Sequence, residues 1–386
     1  MKQTLITGNE AAAWAARLAR AEVIPNYPIT PQTEMLETLS EWIADGAFET
    51  EFLRMDSEHS VMSAAIGASA SGARVFTGTS SQGLFLMFEM LYIASGLRLP
   101  IVMANISRGI SAPITLWADH DDFLSMLNSG WIMFNAQNNQ EVLDSLLMAF
   151  KISEDKKVLL PSVVNMDGYV LSYTDEPTVI PDQKLVDRFL GKYEPEHAFF
   201  KPGTPLVQGS AVLNGRDYTY FRKQHTRACF NALDVTKRVC RQWKKAAGRE
   251  YGLIDSFMLD DADVALVTQG SISTSAKQAV IDMRKKGTKA GLLRLRLIRP
   301  FPEKEVAEAL EGAKAVAVVD KNVSPGRGGI MYPEIRSAVL ENNEKPTVSG
   351  FITGLGGSPE SSSLFESIVH KAMKDAKNKK GEVRFV

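Results

Sequence analysis

With 386 residues, of which 45% are hydrophobic and 23% charged, the chain has the make-up of an ordinary globular protein and the length for two or three domains. A formal net charge of -1 gives no electrostatic case for nucleic acid or an anionic membrane as a partner. The N-terminus lacks a basic segment followed by an apolar stretch and a small-residue cleavage site, and no window approaches about 18 uninterrupted apolar residues; a cytoplasmic protein is expected.

From Gly8 to about Lys157, short apolar runs alternate with helical segments, which predicts a doubly wound α/β domain with a mostly parallel sheet buried on both faces. Strands are expected at residues 23–26, 52–54, 75–77, 100–104 and 158–160, and helices near 10–20, 32–45, 58–72, 83–97 and 140–153. Between about 175 and 251 the period is less regular. Prolines interrupt its first part and a charged helical stretch from about 217 to 245 fills its second, so it reads as a long connection over a subunit or domain surface, or as the completion of the first domain. The basic cluster from Arg238 to Lys245 is expected on the solvated face of that helix. Cys229 and Cys240 lie on it too far apart for a bridge, and they make neither a disulfide framework nor a metal-ligand set. A second alternation starts at Asp263, with strands expected at 264–267, 290–295, 315–319 and 347–351, helices between them, and a lysine-rich tail from 371 to 380 that frays. The expected division is 1–175, 176–255 and 256–386.

Parallel sheets of this kind bind ligands beyond the carboxyl ends of their strands. The segments 27–33, 56–58, 79–83 and 107–113 all follow candidate strands and would line one rim. Among them Glu58 opens a run of small residues, Glu58-His-Ser-Val-Met-Ser-Ala-Ala-Ile-Gly-Ala-Ser-Ala70, that lets a helix approach its neighbours closely and exclude water from the carboxylate at its start. A desolvated carboxylate needs a reason. The plain one is a favourable charge in the first turn of a helix capped by Asp56 or Ser57.

Thr7-Gly-Asn-Glu10, Tyr27-Pro-Ile-Thr-Pro-Gln-Thr-Glu-Met35, the Glu58 helix with Thr79-Ser-Ser-Gln-Gly83, and Arg108 followed by Trp117-Ala-Asp-His-Asp121 occur in the order and spacing of the alpha subunit of pyruvate:ferredoxin oxidoreductase. Asn138-Asn-Gln-Glu141, Ile180-Pro-Asp-Gln183, Arg299-Pro-Phe-Pro302 and Gly354-Leu-Gly-Gly357 carry the likeness onward over nearly the whole chain. The chain therefore resembles the thiamine-diphosphate-dependent 2-oxoacid:ferredoxin oxidoreductases. The resemblance implies a pyrimidine-type thiamine-diphosphate-binding domain followed by a smaller domain like the C-terminal domain of transketolase.

It also implies roles. Glu58 would drive the cofactor's aminopyrimidine toward its imino tautomer, with Pro28, Ile29, Ser81 and Gln82 as further cofactor contacts. Arg108 would grip the substrate carboxylate with a planar fork, and Thr30 would hydrogen-bond the substrate. The plain readings are a surface arginine and a turn or N-cap threonine; for His59 and His120 a structural role stands ahead of assistance in proton transfer. Coenzyme A would be a co-substrate. A rim around Tyr27, Ser81 and Trp117 is expected to be apolar and covered by another chain.

Gly109 departs from the alanine expected after the arginine in pyruvate-specific relatives, so a branched-chain or aryl 2-oxoacid stands beside pyruvate, and a non-catalytic scaffold subunit beside both. Neither a Gly-Asp-Gly motif nor a Cys-x-x-Cys set occurs. By the resemblance, Mg2+ and the diphosphate would sit on a beta subunit, the iron-sulfur clusters on a ferredoxin-like subunit, with a gamma-type subunit and ferredoxin or another acceptor completing the assembly. Asn322-Val-Ser-Pro-Gly-Arg-Gly-Gly329 is a loop that contacts coenzyme A or only a turn.

Overall fold

Apolar runs set between helices form strands buried on both faces. The structure, a computed structural model, describes residues 2–195 and 199–386. Val23–Asn26 pairs parallel with Glu51–Arg54, and Phe76–Thr79 with Val102–Ser107; a parallel bridge from Val23 to Val75 joins the two pairs. Val102–Ser107 continues the sheet through Ser162–Asp167 to Ile132–Asn135, all parallel. The far edge is Leu297–Arg299, which returns from the second half of the chain and pairs antiparallel with Ile132–Asn135.

Two expected elements differ. Residues 158–160 are apolar but form a turn: Leu159 has φ 45°, and the carbonyls of Val158 and Leu159 accept from the Arg98 guanidinium. The strand starts instead at Ser162, after Pro161, which has no N–H to offer a ladder. The segment expected as one helix over 83–97 breaks at the buried Met87 into Ser81–Leu86 and Phe88–Gly96.

The alanine-rich helix Gly8–Leu18 opens with a reciprocal cap between Thr7 and Glu10 and packs with Asn139–Ser153 in one core. Ala228, Ala232, Val235, Val239 and Trp243, from the middle and C-terminal part of the helix Gly215–Ala247, join that core. Glu176–Ile180 pairs antiparallel with Lys2–Ile6.

The second sheet runs Val383–Phe385, Thr347–Ile352, Ala315–Asp320, Val264–Gln269, Ala290–Leu295, Ile254–Phe257, parallel except for the last pair. The tail does not fray as its lysines suggest. The helix Ser362–Lys377 leads into the strand Val383–Phe385, and Arg384 grips the Asp375 carboxylate with two hydrogen bonds of 2.6 and 2.9 Å, a geometry favoured by the guanidinium fork.

The halves are welded by apolar and ionic contacts. Val61, Met103 and Leu124 share a core with Val267, Leu293 and Val316. Glu141, at the start of the helix Asn139–Ser153, accepts from Arg296 Nε at 2.7 Å and from Arg294 Nη1 at 3.2 Å, all three side chains being buried. Among the described residues, no helix is long and apolar enough to cross a membrane.

Candidate active site

The four marked segments follow four parallel, neighbouring strands, so they meet at one edge of the first sheet. Glu58 is the first residue of the helix Glu58–Ala70, whose N-cap Ser57 accepts from the Ser60 N–H at 3.2 Å. Only 6% of Glu58 is exposed. Burial pushes its carboxyl pKa above the usual range, and its own backbone N–H opposes the shift. A β-carbon on Gly83 would stand 2.5 Å from Glu58 Oε1 and 2.7 Å from Thr79 Oγ1. The absent side chain of Gly83 is therefore the space into which the carboxylate projects. Thr79 Oγ1 beside it is buried without a hydrogen-bond partner.

Arg108 follows the strand Val102–Ser107 and is 7% exposed. Its Nη1 donates to the Thr30 carbonyl at 2.7 Å and its Nη2 to Gln82 Oε1 at 2.6 Å, while Nε is buried and unpartnered. Burial lowers the guanidinium pKa, with the charge of Asp122 opposing. Thr30 is exposed, and its carbonyl serves Arg108. Ser81 Oγ lies 2.7 Å from Gln82 Oε1 and 2.9 Å from the Gly109 carbonyl, and its single proton serves one at a time. Gln82 Nε2 is buried without a partner.

Arg108, Thr30, Ser81 and Gln82 thus form one contact set, with Glu58 joined to it through Gly83. Ser81 is fully buried, not part of the expected rim, whereas Tyr27 and Trp117 are 36% and 47% exposed. Pro28 stands apart from Arg108, in a cleft of about 480 Å3 shared with Tyr27, Thr33, Arg54 and Met55. Ile29 is half-buried. A β-carbon on Gly109 would stand 2.4 Å from Thr115 Cγ2 and 2.7 Å from Asp119 Oδ2, so alanine does not fit this loop as it is folded.

Other polar residues here escape sequence reasoning. Asp122 is fully buried and accepts from the backbone N–H groups of Ser81, Arg108 and Phe123, from Ser107 Oγ and from Asn105 Nδ2. Behind it, Asn105 Nδ2 donates to Asn165 Oδ1 at 2.8 Å and Asn165 Nδ2 to Asn135 Oδ1 at 3.0 Å. An asparagine in each of three mainly apolar, fully buried strands is the signal that could have found this ladder.

His120 is buried with Nε2 2.7 Å from Asp167 Oδ1. Against the cost of burial, Lys321 and His120 hold the Asp167 carboxyl well below its usual range. Lys321 also lies 3.3 Å from Glu360. Asp119 is 8% exposed; burial first, then the charges of Asp121 and Asp122, push its pKa up to about 7. Among the described residues no group of three or more His, Cys, Asp or Glu side chains could hold a metal ion.

A doubly wound parallel domain with a buried glutamate opening a small-residue helix at its ligand-binding rim, followed by a second parallel unit, is the architecture of thiamine-diphosphate-binding enzymes. Among solved structures, 2-oxoglutarate:ferredoxin oxidoreductase from Magnetococcus marinus matches 97% of the chain with TM-score 0.74 and 18% identity, this chain spanning 65% of that one. A split-gene transketolase matches 96% of the chain and 99% of its own length with TM-score 0.57 and 14% identity. Both speak to the fold.

A family profile described as pyruvate flavodoxin/ferredoxin oxidoreductase, thiamine diphosphate-binding, matches residues 14–241, and one described as pyruvate:ferredoxin oxidoreductase core domain II matches residues 262–362. The pyruvate synthase subunit PorA of Methanocaldococcus jannaschii is 46% identical over 92% of the chain and 90% of its own length. That of Pyrococcus abyssi is 44% identical, also over 92% and 90%. The ketoisovalerate oxidoreductase subunit VorA of Pyrococcus abyssi is 43% identical over 92% of the chain and 89% of its own length. The chain belongs to the pyruvate flavodoxin/ferredoxin oxidoreductase family and carries its thiamine-diphosphate-binding domain.

Proposed function

We propose that this chain is the alpha-type subunit of a 2-oxoacid:ferredoxin oxidoreductase that oxidatively decarboxylates pyruvate, passing the acyl group to coenzyme A and electrons to ferredoxin. The observation that carries the reading is the shared contact set of Arg108, Thr30 and Gln82, beside the buried Glu58. Two of the five guanidinium hydrogens of Arg108 are engaged by Thr30 and Gln82. The remaining donors, with the buried Nε–H among them, suit a two-pronged hold on a carboxylate. The hydroxyl of Thr30, on the neighbouring loop whose carbonyl accepts from Arg108, supplies a hydrogen bond to the substrate.

The residues present fit thiamine diphosphate at its aminopyrimidine end. Thr79 Oγ1 and Gln82 Nε2 are buried without hydrogen-bond partners among the described residues, close to the Glu58 carboxylate that Gly83 makes room for, and Ser81 and Ile29, with Pro28 from the neighbouring cleft, would add further cofactor contacts. When bound, the cofactor supplies the nucleophilic carbon and the electron sink that decarboxylation needs. Glu58 would hold a proton-accepting carboxylate toward the aminopyrimidine in a site poor in water, where a hydrogen bond from it would be strongest. Arg108 fixes the acid end of the substrate, and the buried walls keep water from the reacting carbon.

The exposed apolar side chains of Tyr27, Leu53, Phe85, Leu86 and Trp117 support the reading that another chain covers this side. That chain is a beta subunit with the diphosphate and Mg2+ site, accompanied by a ferredoxin-like iron-sulfur subunit and a gamma-type subunit. Domain limits near residues 175 and 255 suit this assignment, with 176–255 attached to the first domain. The second reading is a branched-chain 2-oxoacid as substrate, favoured by the near-equal identity to the ketoisovalerate relative. The test is a steady-state assay of the purified complex with a panel of 2-oxoacids. Coenzyme A-dependent acceptor reduction fastest with pyruvate is expected; a higher kcat/KM with 2-oxoisovalerate selects the second reading, and no turnover with any 2-oxoacid refutes both.

A further inference from the structure

We propose that Asp122 is a positioning residue for 2-oxoacid use, one that acts through Arg108; the inference rests on the reading of Arg108 as the carboxylate contact. Oδ2 of Asp122 accepts from the backbone N–H of Arg108 at 3.2 Å and from that of Ser81 at 2.9 Å. Ser81 immediately precedes Gln82, whose Oε1 receives Arg108 Nη2 at 2.6 Å. One carboxylate oxygen therefore ties the backbone of Arg108 to that of the residue before Gln82, the tips of Arg108 and Gln82 meet, and the ring closes through Asp122, Arg108, Gln82 and Ser81.

Two observations show why the ring needs an anchor. Ser81 has φ 47°, a left-handed conformation that a residue with a side chain leaves unless its surroundings hold it; the acceptor at its N–H is that hold. Arg108 follows a strand and enters a loop, where the N–H of Gly109 bonds the Trp117 carbonyl rather than a strand partner, so without Asp122 the arginine root has no ladder bond to fix it. Asp122 itself cannot follow them. It is fully buried, and its other oxygen accepts from Ser107 Oγ at 2.8 Å and from the Phe123 N–H at 2.6 Å. Asn105 and Asn165 pack a hydrogen-bonded pair behind it. The carboxylate is fully buried beneath the backbone of Ser81 and Arg108, so its effect on substrate passes through the aim of the guanidinium.

The test uses the assembled complex. Asp122→Asn keeps the shape but turns one acceptor into a donor that faces backbone N–H groups whichever way the amide lies. The expected result is a fall in kcat/KM for the 2-oxoacid of about tenfold, carried mainly by KM, the size of one lost charged hydrogen bond. Cofactor C2 hydrogen exchange without 2-oxoacid, which reads Glu58, should change less than about twofold. In an Arg108→Ala background, Asp122→Asn should add little, because both changes remove the same contact. Ser107→Ala, which removes one donor to Asp122, should give the same pattern at smaller size and serves if the asparagine variant does not assemble. Additive losses in the double variant, or equal losses of exchange and substrate use, overturn the proposal. An unchanged kcat/KM in Arg108→Ala alone would show that the reading of Arg108 fails and takes the inference with it.

Discussion

Glu58 and Gly83 occupy complementary space: Oε1 of the glutamate lies 2.5 Å from the point where a β-carbon on the glycine would stand. Gly83 is inside the helix Ser81–Leu86 and its φ is not positive, so Gly83→Ala adds no backbone strain and by helix propensity gains up to about 1 kcal/mol. The methyl group must displace the carboxylate or Thr79. The propensity gain and the overpacking cost of about 1 to 3 kcal/mol oppose each other, so thermal stability is expected to change little while turnover of the complex falls by about tenfold or more, since about 1 Å of misplacement is costly in a site of this kind. Parallel calorimetry and assay check it; unchanged turnover would remove the link between this glycine and Glu58.

Glu58→Gln keeps the shape and withdraws the charge. A loss of turnover of about a hundredfold or more is expected for an acid-base role, together with slowed C2 hydrogen exchange. Burial raises the Glu58 pKa, so ionising it opposes folding once the pH exceeds the carboxyl range. At neutral pH the glutamine variant should therefore melt no lower than wild type. Wild-type exchange in this variant contradicts the assignment.

Arg108→Lys replaces a fork by a point charge. The variant should weaken 2-oxoacid use by about 1.5 to 3 kcal/mol if the lost contact is a charged hydrogen bond, with cofactor affinity nearly unchanged. Kinetics over a range of substrate concentrations, alongside cofactor titration, separate the two effects.

Asp119 gives stability a pH dependence of known sign. Its folded pKa of about 7 lies above the ordinary value of 3.8. The advantage of the neutral carboxyl is complete below about pH 4 and is lost as pH rises through about 7. Over that window the wild type should lose up to about 4 kcal/mol from this group. Asp119→Asn should flatten the decline and be the more stable protein at pH 8, as urea midpoints at pH 5 and pH 8 would reveal; parallel curves for the two proteins refute it.

Glu141→Ala removes the carboxylate shared by Arg294 and Arg296, which leaves buried positive charge uncompensated. Breaking such an arrangement costs about 3 to 5 kcal/mol. A large drop in the denaturation midpoint is expected, and the effect should be smaller for a double change that also makes Arg296 apolar.

The rim could be read in the sequence because its marked residues follow apolar runs whose strand character is local. Tyr27, Thr79 and Arg108 each stand at the end of a strand that forms, and Glu58 opens the helix that follows the strand Glu51–Arg54. What locks them was not readable. Asp122 shares its segment with Asp119 and Asp121, and no period marks which carboxylate turns inward to meet Ser81 and Arg108. Residues 158–160 look like a strand by apolarity alone, yet Arg98, sixty residues earlier in the chain, claims their carbonyls. The lysines of the tail suggest solvent, but Arg384 and Asp375 form a contact that composition does not encode.

The strand Leu297–Arg299 has a consequence for how the chain comes into being. It is made only after the second unit has begun, behind Ile254–Phe257, Val264–Gln269 and Ala290–Leu295, yet it closes the edge of the first sheet against Ile132–Asn135. A ribosome that has delivered the whole glutamate-bearing half has still not delivered its last strand, and until then the main-chain donors and acceptors of Ile132–Asn135 offer a template for any other extended segment. The gene is thus poorly suited to division between its two units: a fragment ending near residue 255 would keep Glu58 and Arg108 but present an open β-edge to its neighbours.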